Sequence, residues 1–147
     1  AFLMKPSFIV ADEPVSALDV SVQAQILNLM RELQVKYKLT SLFISHDLGV
    51  VSYLSDRIGV MYLGHLVELG TTKEILEHPA HPYTKGLIAS LPGKGMNPIG
   101  RAVRKKEGNS GCSFYPRCAH AVDACKNGRI PEAELPDGRK VRCVRYA

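Results

Sequence analysis

The chain of 147 residues has no long apolar segment and no closely paired cysteines. No stretch approaches the roughly 18 uncharged apolar residues of a membrane-spanning helix, so no such helix is predicted. No secretory signal peptide opens the sequence. The four cysteines are separated by five, six and seventeen residues, which fits none of the common C-x₂₋₄-C zinc-finger patterns. We therefore expect a cytoplasmic protein that reaches a membrane only through a partner.

The sequence also has few features of a nucleic-acid-binding protein. Its net charge is +5, and the basic run Arg104–Lys106 has no interleaved aromatic residues that could stack on bases. No zinc-finger helix pattern is present. A nucleic-acid module is thus the weakest of the functions considered, and no nucleic-acid partner is expected.

Charge and composition divide the chain near residue 91. Residues 1–90 carry seven Lys/Arg against nine Asp/Glu, whereas residues 91–147 carry twelve against five and all four cysteines. Prolines and glycines punctuate residues 91–110, which is typical of a linker. We predict a domain over residues 1–90, a linker over 91–110 and a cysteine-bearing tail over 111–147.

One apolar run leads directly into two adjacent carboxylates. Residues 8–11 are apolar or small without alternation, which favours a fully buried strand. Asp12 and Glu13 then lie at its carboxyl end, where open α/β sheets bind ligands. Two neighbouring acids are costly to bury unless a cation or a reacting group uses them. A solvated acidic turn is the alternative interpretation.

A second apolar strand, Leu42–Ile44, ends in Ser45, His46 and Asp47. Between the two strands, apolar residues at helical spacing predict a helix over about 20–38 that Asp19 caps. The two strands are then parallel neighbours. His46 is either a functional side chain at the end of the second strand or a capping residue.

The rest of the first domain is predicted from similar patterns. Three histidines without partners at metal-ligand spacing, His65, His78 and His81, are interpreted as surface or hairpin-turn residues. The expected elements are a helix over Leu48–Leu54, a hairpin of Arg57–Leu63 and Leu66–Leu69, a helix over Lys73–Glu77 capped by Thr72, and a helix over Tyr83–Ser90.

Three segments in this order resemble the second half of an ABC-transporter ATPase domain. Phe8–Glu13 resembles its Walker B strand with the catalytic glutamate, Ser16–Asp19 its D-loop, and Ile44–Asp47 its switch-histidine loop. Val20–Gln25 and His81–Thr84 are similar to the oligopeptide/dipeptide importer branch. The resemblance covers essentially the whole chain. It implies an α/β fold, the C-terminal part of a P-loop ATPase domain with parallel strands and crossover helices, followed by a small metal-stapled irregular tail.

Other motifs of that family are missing from the sequence. There is no Gly-rich phosphate-binding loop followed by Lys-Ser or Lys-Thr, no Q-loop and no Leu-Ser-Gly-Gly segment, and the chain opens on Ala1. We expect the C-terminal part of a longer subunit, inactive alone. Without its first half, the sheet is expected to expose apolar surface near Phe8.

The resemblance assigns a role to each residue of the nucleotide site. Asp12 holds the Mg²⁺ that accompanies ATP, Glu13 is the general base, and His46 contacts the γ-phosphate. Ser16 and Asp19 meet a second ATP-binding subunit in a homo- or heterodimer. Transmembrane permease subunits are the other expected partners, so the protein would lie on the inner face of the cell membrane.

The four cysteines, Cys112, Cys118, Cys125 and Cys143, suggest a metal site. Disulfides are not expected in the cytosol, and a tail of under 40 residues is generally too small to fold alone. Four thiolates suit zinc or an iron–sulfur cluster. The resemblance of Gly111–Cys118 to the importers' C-terminal extension favours a 4Fe–4S cluster, with zinc as the alternative. Packing as small apolar residues also stays open.

Two classes of function therefore remain in competition. The first is an ATPase subunit that energises import of oligopeptides or dipeptides. The second is a non-catalytic regulatory or interaction fragment with a metal-binding tail. A phosphate-binding loop and a signature segment upstream of Ala1 would distinguish the first from the second.

Overall fold

A computed structural model of the chain describes residues 6–91 and 110–147. The chain divides into two compact units, Ala1–Asp56 and Arg57–Ala147. Most of the predicted linker lies outside the described residues, so the predicted domain division stays a prediction. Within the described ranges, no helix is long and apolar enough to cross a membrane.

The first unit is a strand–helix–strand arrangement followed by a short helix. Its elements are β1 (Phe8–Asp12), α1 (Val20–Tyr37), β2 (Thr40–Ile44) and α2 (Leu48–Leu54). The two strands are parallel, with Phe8 beside Thr40 and Asp12 beside Ile44. The predicted parallel pair with an intervening helix is therefore confirmed.

Both helices of this unit begin at an aspartate. The Asp19 carboxylate accepts hydrogen bonds from the backbone N–H groups of Ser21 and Val22, each at 3.0 Å, as the sequence predicted. The Asp47 carboxylate accepts from the N–H of Gly49 at 2.8 Å and thereby caps α2. Each such cap stabilises its helix by about 1 kcal/mol, because it satisfies N–H groups that have no partner inside the helix.

Among the described residues, one face of the two-stranded sheet is covered and the other is exposed. Its core cluster consists of Val15, Leu27, Val50 and Leu54, with Phe43 packed against it. Alternate strand residues share a face, and the register sets Val10 beside Leu42. The other face therefore gathers four apolar side chains that are 45% to 57% exposed, namely Phe8, Val10, Leu42 and Ile44. A fully buried first strand was the wrong expectation for this chain, whereas the expected exposed apolar surface is confirmed.

The second unit is built on an antiparallel sheet. The predicted hairpin is present as β3 (Arg57–Tyr62) and β4 (His65–Thr71), and α3 (Thr72–Glu77) and α4 (Pro82–Ala89) follow it. The tail was expected to be irregular. It instead contributes β5 (Ala133–Glu134) and β6 (Lys140–Val141), and the sheet order is β3-β4-β6-β5. The described part of the tail is thus joined to the hairpin by backbone pairing.

The predicted helices of this unit begin close to their expected positions. Thr71, one residue before the predicted Thr72, caps α3 in a capping box with Glu74. His81 caps α4, and Pro82 occupies its first turn, where a missing N–H has no consequence. A shift of one residue at a helix end is within the normal uncertainty of sequence patterns.

A buried carboxylate connects three segments of the second unit. Glu68 on β4 is only 1% exposed, and its oxygens accept from the N–H groups of Ala80 (2.7 Å) and His81 (2.9 Å). The guanidinium of Arg139, from the tail, lies 3.7 Å away and also pairs with Asp137 at 2.8 Å. Because a buried charge is costly without partners, these contacts fix the turn before α4 and the tail against β4.

Gly70 makes room for the Arg139 side chain. A Cβ at position 70 would lie 2.8 Å from Cγ of Arg139 and 3.1 Å from the Glu74 carboxylate. The guanidinium continues past this point and donates to the carbonyl of His78. The stem of Arg139 therefore packs against bare backbone, which the sequence patterns did not predict.

The interpretation of His81 as a surface or hairpin-turn residue is wrong. Its side chain is buried, 1% exposed, and Nδ1 accepts a hydrogen bond from the N–H of Tyr83 at 3.0 Å. Burial lowers the pKa of His81 to about 4. A neutral ring fits this position, because protonation would remove the Nδ1 acceptor that caps α4.

We expect acid to destabilise the second unit through His81. Its pKa is about 4 in the folded chain against 6.5 ordinarily, so the unfolded state takes up the proton first. The free energy of unfolding should therefore fall, by on the order of 3 kcal/mol, as the pH drops from about 6.5 to about 4. Urea unfolding at a series of pH values measures this.

His81→Asn is the informative variant, since asparagine can cap a helix but does not titrate in this range. It should lose most of the acid sensitivity. The exposed His65 provides the control, and His65→Asn should keep the parent's pH dependence. An identical pH dependence in parent and His81→Asn would show that His81 is not the responsible group.

Candidate functional site

The predicted site residues lie where β1 and β2 end. Asp12 is the last residue of β1 and is exposed beside Ile44. The N–H of Glu13 donates to the carbonyl of Ile44 at 2.9 Å, which extends the pairing one residue beyond the strand. Because the strands are parallel, the segments that follow them leave the same edge of the sheet.

Glu13 and His46 meet at this edge. Oε1 of Glu13 lies 2.8 Å from Nδ1 of His46 and accepts the backbone N–H of His46 at 3.1 Å. The hydrogen bond to Glu13 and the charge of Glu13 raise the pKa of His46 above its ordinary value of 6.5. The imidazole is 78% exposed, so its remaining ring nitrogen can reach a ligand while Nδ1 orients the carboxylate.

The backbone of Glu13 is strained. Its φ of 46° is left-handed, which is uncommon for a residue other than glycine, and Pro14 restricts the preceding residue further. Such conformations cost about 1–3 kcal/mol and persist where the surroundings impose them. Here Val15 is buried in the core, and the N–H and hydroxyl of Ser16 donate to the Glu13 carbonyl at 3.4 and 3.1 Å. The turn therefore fixes the direction of the Glu13 side chain.

The other two predicted residues of this site, Ser16 and Asp19, lie on the segment that follows Glu13. Ser16 lies on the turn after Glu13, and Asp19 begins α1 with Oδ1 engaged as the helix cap. His46 does not cap the helix that follows it, because Asp47 caps α2. The alternative interpretation of His46 as a capping residue is therefore wrong. Asp47 was not predicted as a cap, although an aspartate directly before an apolar helix is the usual signal.

The second predicted site concerns the cysteines, all four of which are free thiols. Cys112 and Cys118 are half-buried, and Cys125 and Cys143 are buried. Burial raises the pKa of Cys112, and the N–H groups of Phe114 and Tyr115, which donate to its sulfur, oppose that rise.

Cys118 has a similar environment. Burial raises its pKa, while the N–H of His120 donates to the sulfur and favours the thiolate. Cys125 and Cys143 act electrostatically on both Cys112 and Cys118, so the four groups belong to one neighbourhood. Within residues 6–91 and 110–147, no three His, Cys, Asp or Glu side chains stand where they could hold a metal ion together.

The pair formed by Glu68 and Arg139 was not predicted from the sequence. The sequence did contain a sign of this pair, because Glu68 is a single charge inside the apolar run of β4. Buried charges are usually paired, so a cationic partner was to be expected. Its partner could not be identified from spacing, because Arg139 lies in the tail.

Known proteins resemble this chain strongly. The family described as oligopeptide/dipeptide transporter, C-terminal region, matches residues 67–125. An oligopeptide transport ATP-binding protein of Bacillus subtilis, AppF, is 48% identical over 157 residues, which cover all of this chain and 47% of that protein. The chain is therefore similar to ATP-binding proteins of peptide transporters. A second relative, from Sinorhizobium fredii, is named as a probable peptide ABC transporter ATP-binding protein and is 47% identical over 97% of the chain and 42% of its own length.

The chain spans about half the length of these curated relatives. The predicted resemblance to ATP-binding proteins of peptide transporters is therefore confirmed at the level of the family. The roles of individual residues are not tested by identity alone, and they remain predictions.

The contact between Glu13 and His46 leads to a measurable difference in pKa. NMR titration of the 147-residue chain should give His46 a pKa above 6.5, and Glu13→Gln should lower it, because the neutral amide no longer favours the imidazolium. Asp12→Asn, one residue away and without a contact to His46 among those the structure describes, should have a smaller effect. Equal pKa values in parent and Glu13→Gln would contradict the contact.

Proposed function

We propose that the chain is the C-terminal part of an ATP-binding subunit that hydrolyses ATP to energise import of oligopeptides or dipeptides by an ABC transporter. The observation that carries the proposal is the 2.8 Å contact between Glu13 and His46 at the edge of two parallel strands. The names of its relatives, which are peptide-transport ATP-binding proteins, support the same conclusion.

Glu13 is proposed as the general base of hydrolysis. Its carboxylate takes a proton from water as the water oxygen attacks the γ-phosphorus and the bond to the β-phosphate oxygen breaks. A positioned base typically contributes about 10²–10⁴ in rate. His46 holds this carboxylate in place through Nδ1, and its exposed ring offers the other nitrogen to a γ-phosphate oxygen.

Asp12 is proposed as the carboxylate that holds Mg²⁺. The fit rests on its chemistry and position: an exposed carboxylate at the end of β1, next to the base, is the type of ligand that Mg²⁺ prefers. When bound with ATP, the ion neutralises charge on the phosphate oxygens. Asp12 would orient that complex toward Glu13.

The proposed partners follow from the same assignment. Ser16 and Asp19 are exposed on the segment after Glu13, and we assign them to contact a second ATP-binding subunit. Permease subunits would hold the protein on the inner face of the membrane, in the cytoplasm. Peptide specificity then belongs to other subunits.

The catalytic assignment is tested in a subunit restored to the length of its relatives. Glu13→Gln should lower ATP turnover at least about 100-fold while ATP binding is kept, because only proton transfer is removed. Glu32→Gln, an exposed change on α1, should leave turnover unchanged. Phosphate release and nucleotide binding are the two measurements.

The 147-residue chain alone should hydrolyse no ATP, since its sequence has no phosphate-binding loop. Equal turnover in the restored parent and in Glu13→Gln would remove Glu13 from the catalytic role. No turnover by the restored parent under any condition would favour the alternative, a non-catalytic regulatory or interaction fragment.

We also propose that the four cysteines hold a metal centre, a 4Fe–4S cluster in first place and zinc as the alternative. Sulfur-only ligation suits either. The support is the donor set itself: four thiols in one neighbourhood, with backbone N–H groups donating to the sulfurs of Cys112 and Cys118. Hydrogen bonds of this kind stabilise thiolates and tune bound metals.

Protein purified without oxygen should be brown and carry nearly stoichiometric iron. Cys118→Ser should abolish colour and iron, because it removes one of four ligands. His120→Ala, an exposed neighbour, should leave both unchanged. Colourless parent protein that carries zinc would replace the cluster by a zinc site, and parent protein without either metal would contradict the proposal.

A further inference from the structure

One hydrophobic cluster lies beside both segments of the candidate site. Val15 comes two residues after Glu13 and is 2% exposed, and Val50 comes four residues after His46 and is 4% exposed. Both valines belong to the same buried cluster, against which Phe43 of β2 also packs. The two loops that carry Glu13 and His46 are therefore each tied to one core, close to the functional side chain.

On the first segment, Val15 is the buried end of a strained turn. The backbone of Glu13 is left-handed, with a φ of 46°, and such a conformation persists only where its surroundings impose it. The carbonyl of Val15 accepts the N–H of Leu18 at 3.2 Å, so Val15 is held by its backbone as well as by its side chain. Loosening Val15 in the core should therefore release the turn and move the Glu13 carboxylate.

On the second segment, two local hydrogen bonds connect the neighbours of His46 to Val50. The Ser45 hydroxyl oxygen accepts the N–H of Asp47 at 3.1 Å, and the Asp47 carboxylate accepts the N–H of Val50 at 3.3 Å. Side-chain bonds of this kind order the backbone of short turns. A displacement of Val50 should therefore displace His46 as well.

The contact between Glu13 and His46 depends on where these two loops lie. Oε1 of Glu13 accepts the backbone N–H of His46 at 3.1 Å and lies 2.8 Å from its Nδ1. A ring can follow a displaced carboxylate by rotating, but a backbone N–H cannot. The two side chains are 78% and 37% exposed, so their own packing does little to hold them together.

We propose that Val15 and Val50 are positioning residues of ATP hydrolysis: by sharing one core cluster, they hold Glu13 and His46 at hydrogen-bonding distance. The inference rests on the function proposed above and deepens it. Protein cores are close-packed, so the loss of even one methylene is felt by the surrounding groups. Because a misplacement of about 1 Å can lower a rate about 100-fold, a change in this core should affect the chemistry although both valines are buried.

The first test is an NMR titration of His46 in the 147-residue chain. The contact with Glu13 raises the pKa of His46 above 6.5, so a loosened contact should return the pKa toward that value. Val15→Ala and Val50→Ala should each lower the pKa of His46 relative to the parent. The matched control is Leu54→Ala, which empties a larger volume of the same cluster at the last residue of α2. It should destabilise the fold at least as much and leave this pKa unchanged.

The second test is ATP turnover in a subunit restored to the length of its relatives. Val15→Ala and Val50→Ala should lower kcat about 10- to 100-fold and leave KM for ATP unchanged, because the base moves while the groups that bind ATP are kept. Leu54→Ala should keep the kcat of the parent. Urea unfolding of each variant shows which of them are folded, and if Val15→Ala is not, Val50→Ala decides alone.

The outcomes separate this inference from the proposed function. A restored parent that hydrolyses no ATP would overturn the proposed function, whatever the titration shows. A restored parent that hydrolyses ATP while the folded valine variants keep its kcat would leave that function intact and overturn the positioning role. An equal fall in the Leu54→Ala control would also overturn the role, because it would show a general loosening of the fold. A lower pKa of His46 and a lower kcat in the valine variants alone support it.

Discussion

The parallel pairing of β1 with β2 is the constraint on which the candidate site depends. Its register sets Asp12 beside Ile44, and the added bond from Glu13 to the Ile44 carbonyl carries the pairing past the strand. Two residues 33 positions apart, Glu13 and His46, consequently meet at one edge. The left-handed backbone at Glu13 is the strain that accompanies this arrangement, and the buried Val15 opposes its release.

The second unit depends on a buried charge as well as on strand pairing. The sequence suggested that a tail of this size needs a metal to fold, because its own core is too small. The structure supplies other means: β6 pairs with β4, and Arg139 meets the buried Glu68. Among the described residues, these contacts dock the tail on β4 through protein groups alone.

Local patterns predicted local features well. The helix begun by Asp19 and the hairpin of β3 and β4 follow from spacing and turn residues. Local patterns did not predict that Glu13 and His46 lie close together. That expectation came from the order of three motifs along the chain, which resembles an ATPase domain. The burial of His81 could not be predicted, because a residue before proline is typical of a turn. Its surroundings are formed by Glu68 and by the ring of Phe114, which are distant in sequence.

The close approach of Arg139 to Gly70 has a consequence for how sequences of this kind can diverge. A side chain at position 70 and a long side chain at position 139 compete for the same volume, with only 2.8 Å between the Cβ and Arg139 Cγ. The two positions are therefore not independent during evolution. A lineage that shortens residue 139 removes the main obstacle to alanine at position 70 and also takes the cation away from Glu68. Substitutions at position 139 should therefore be correlated with substitutions at positions 68 and 70.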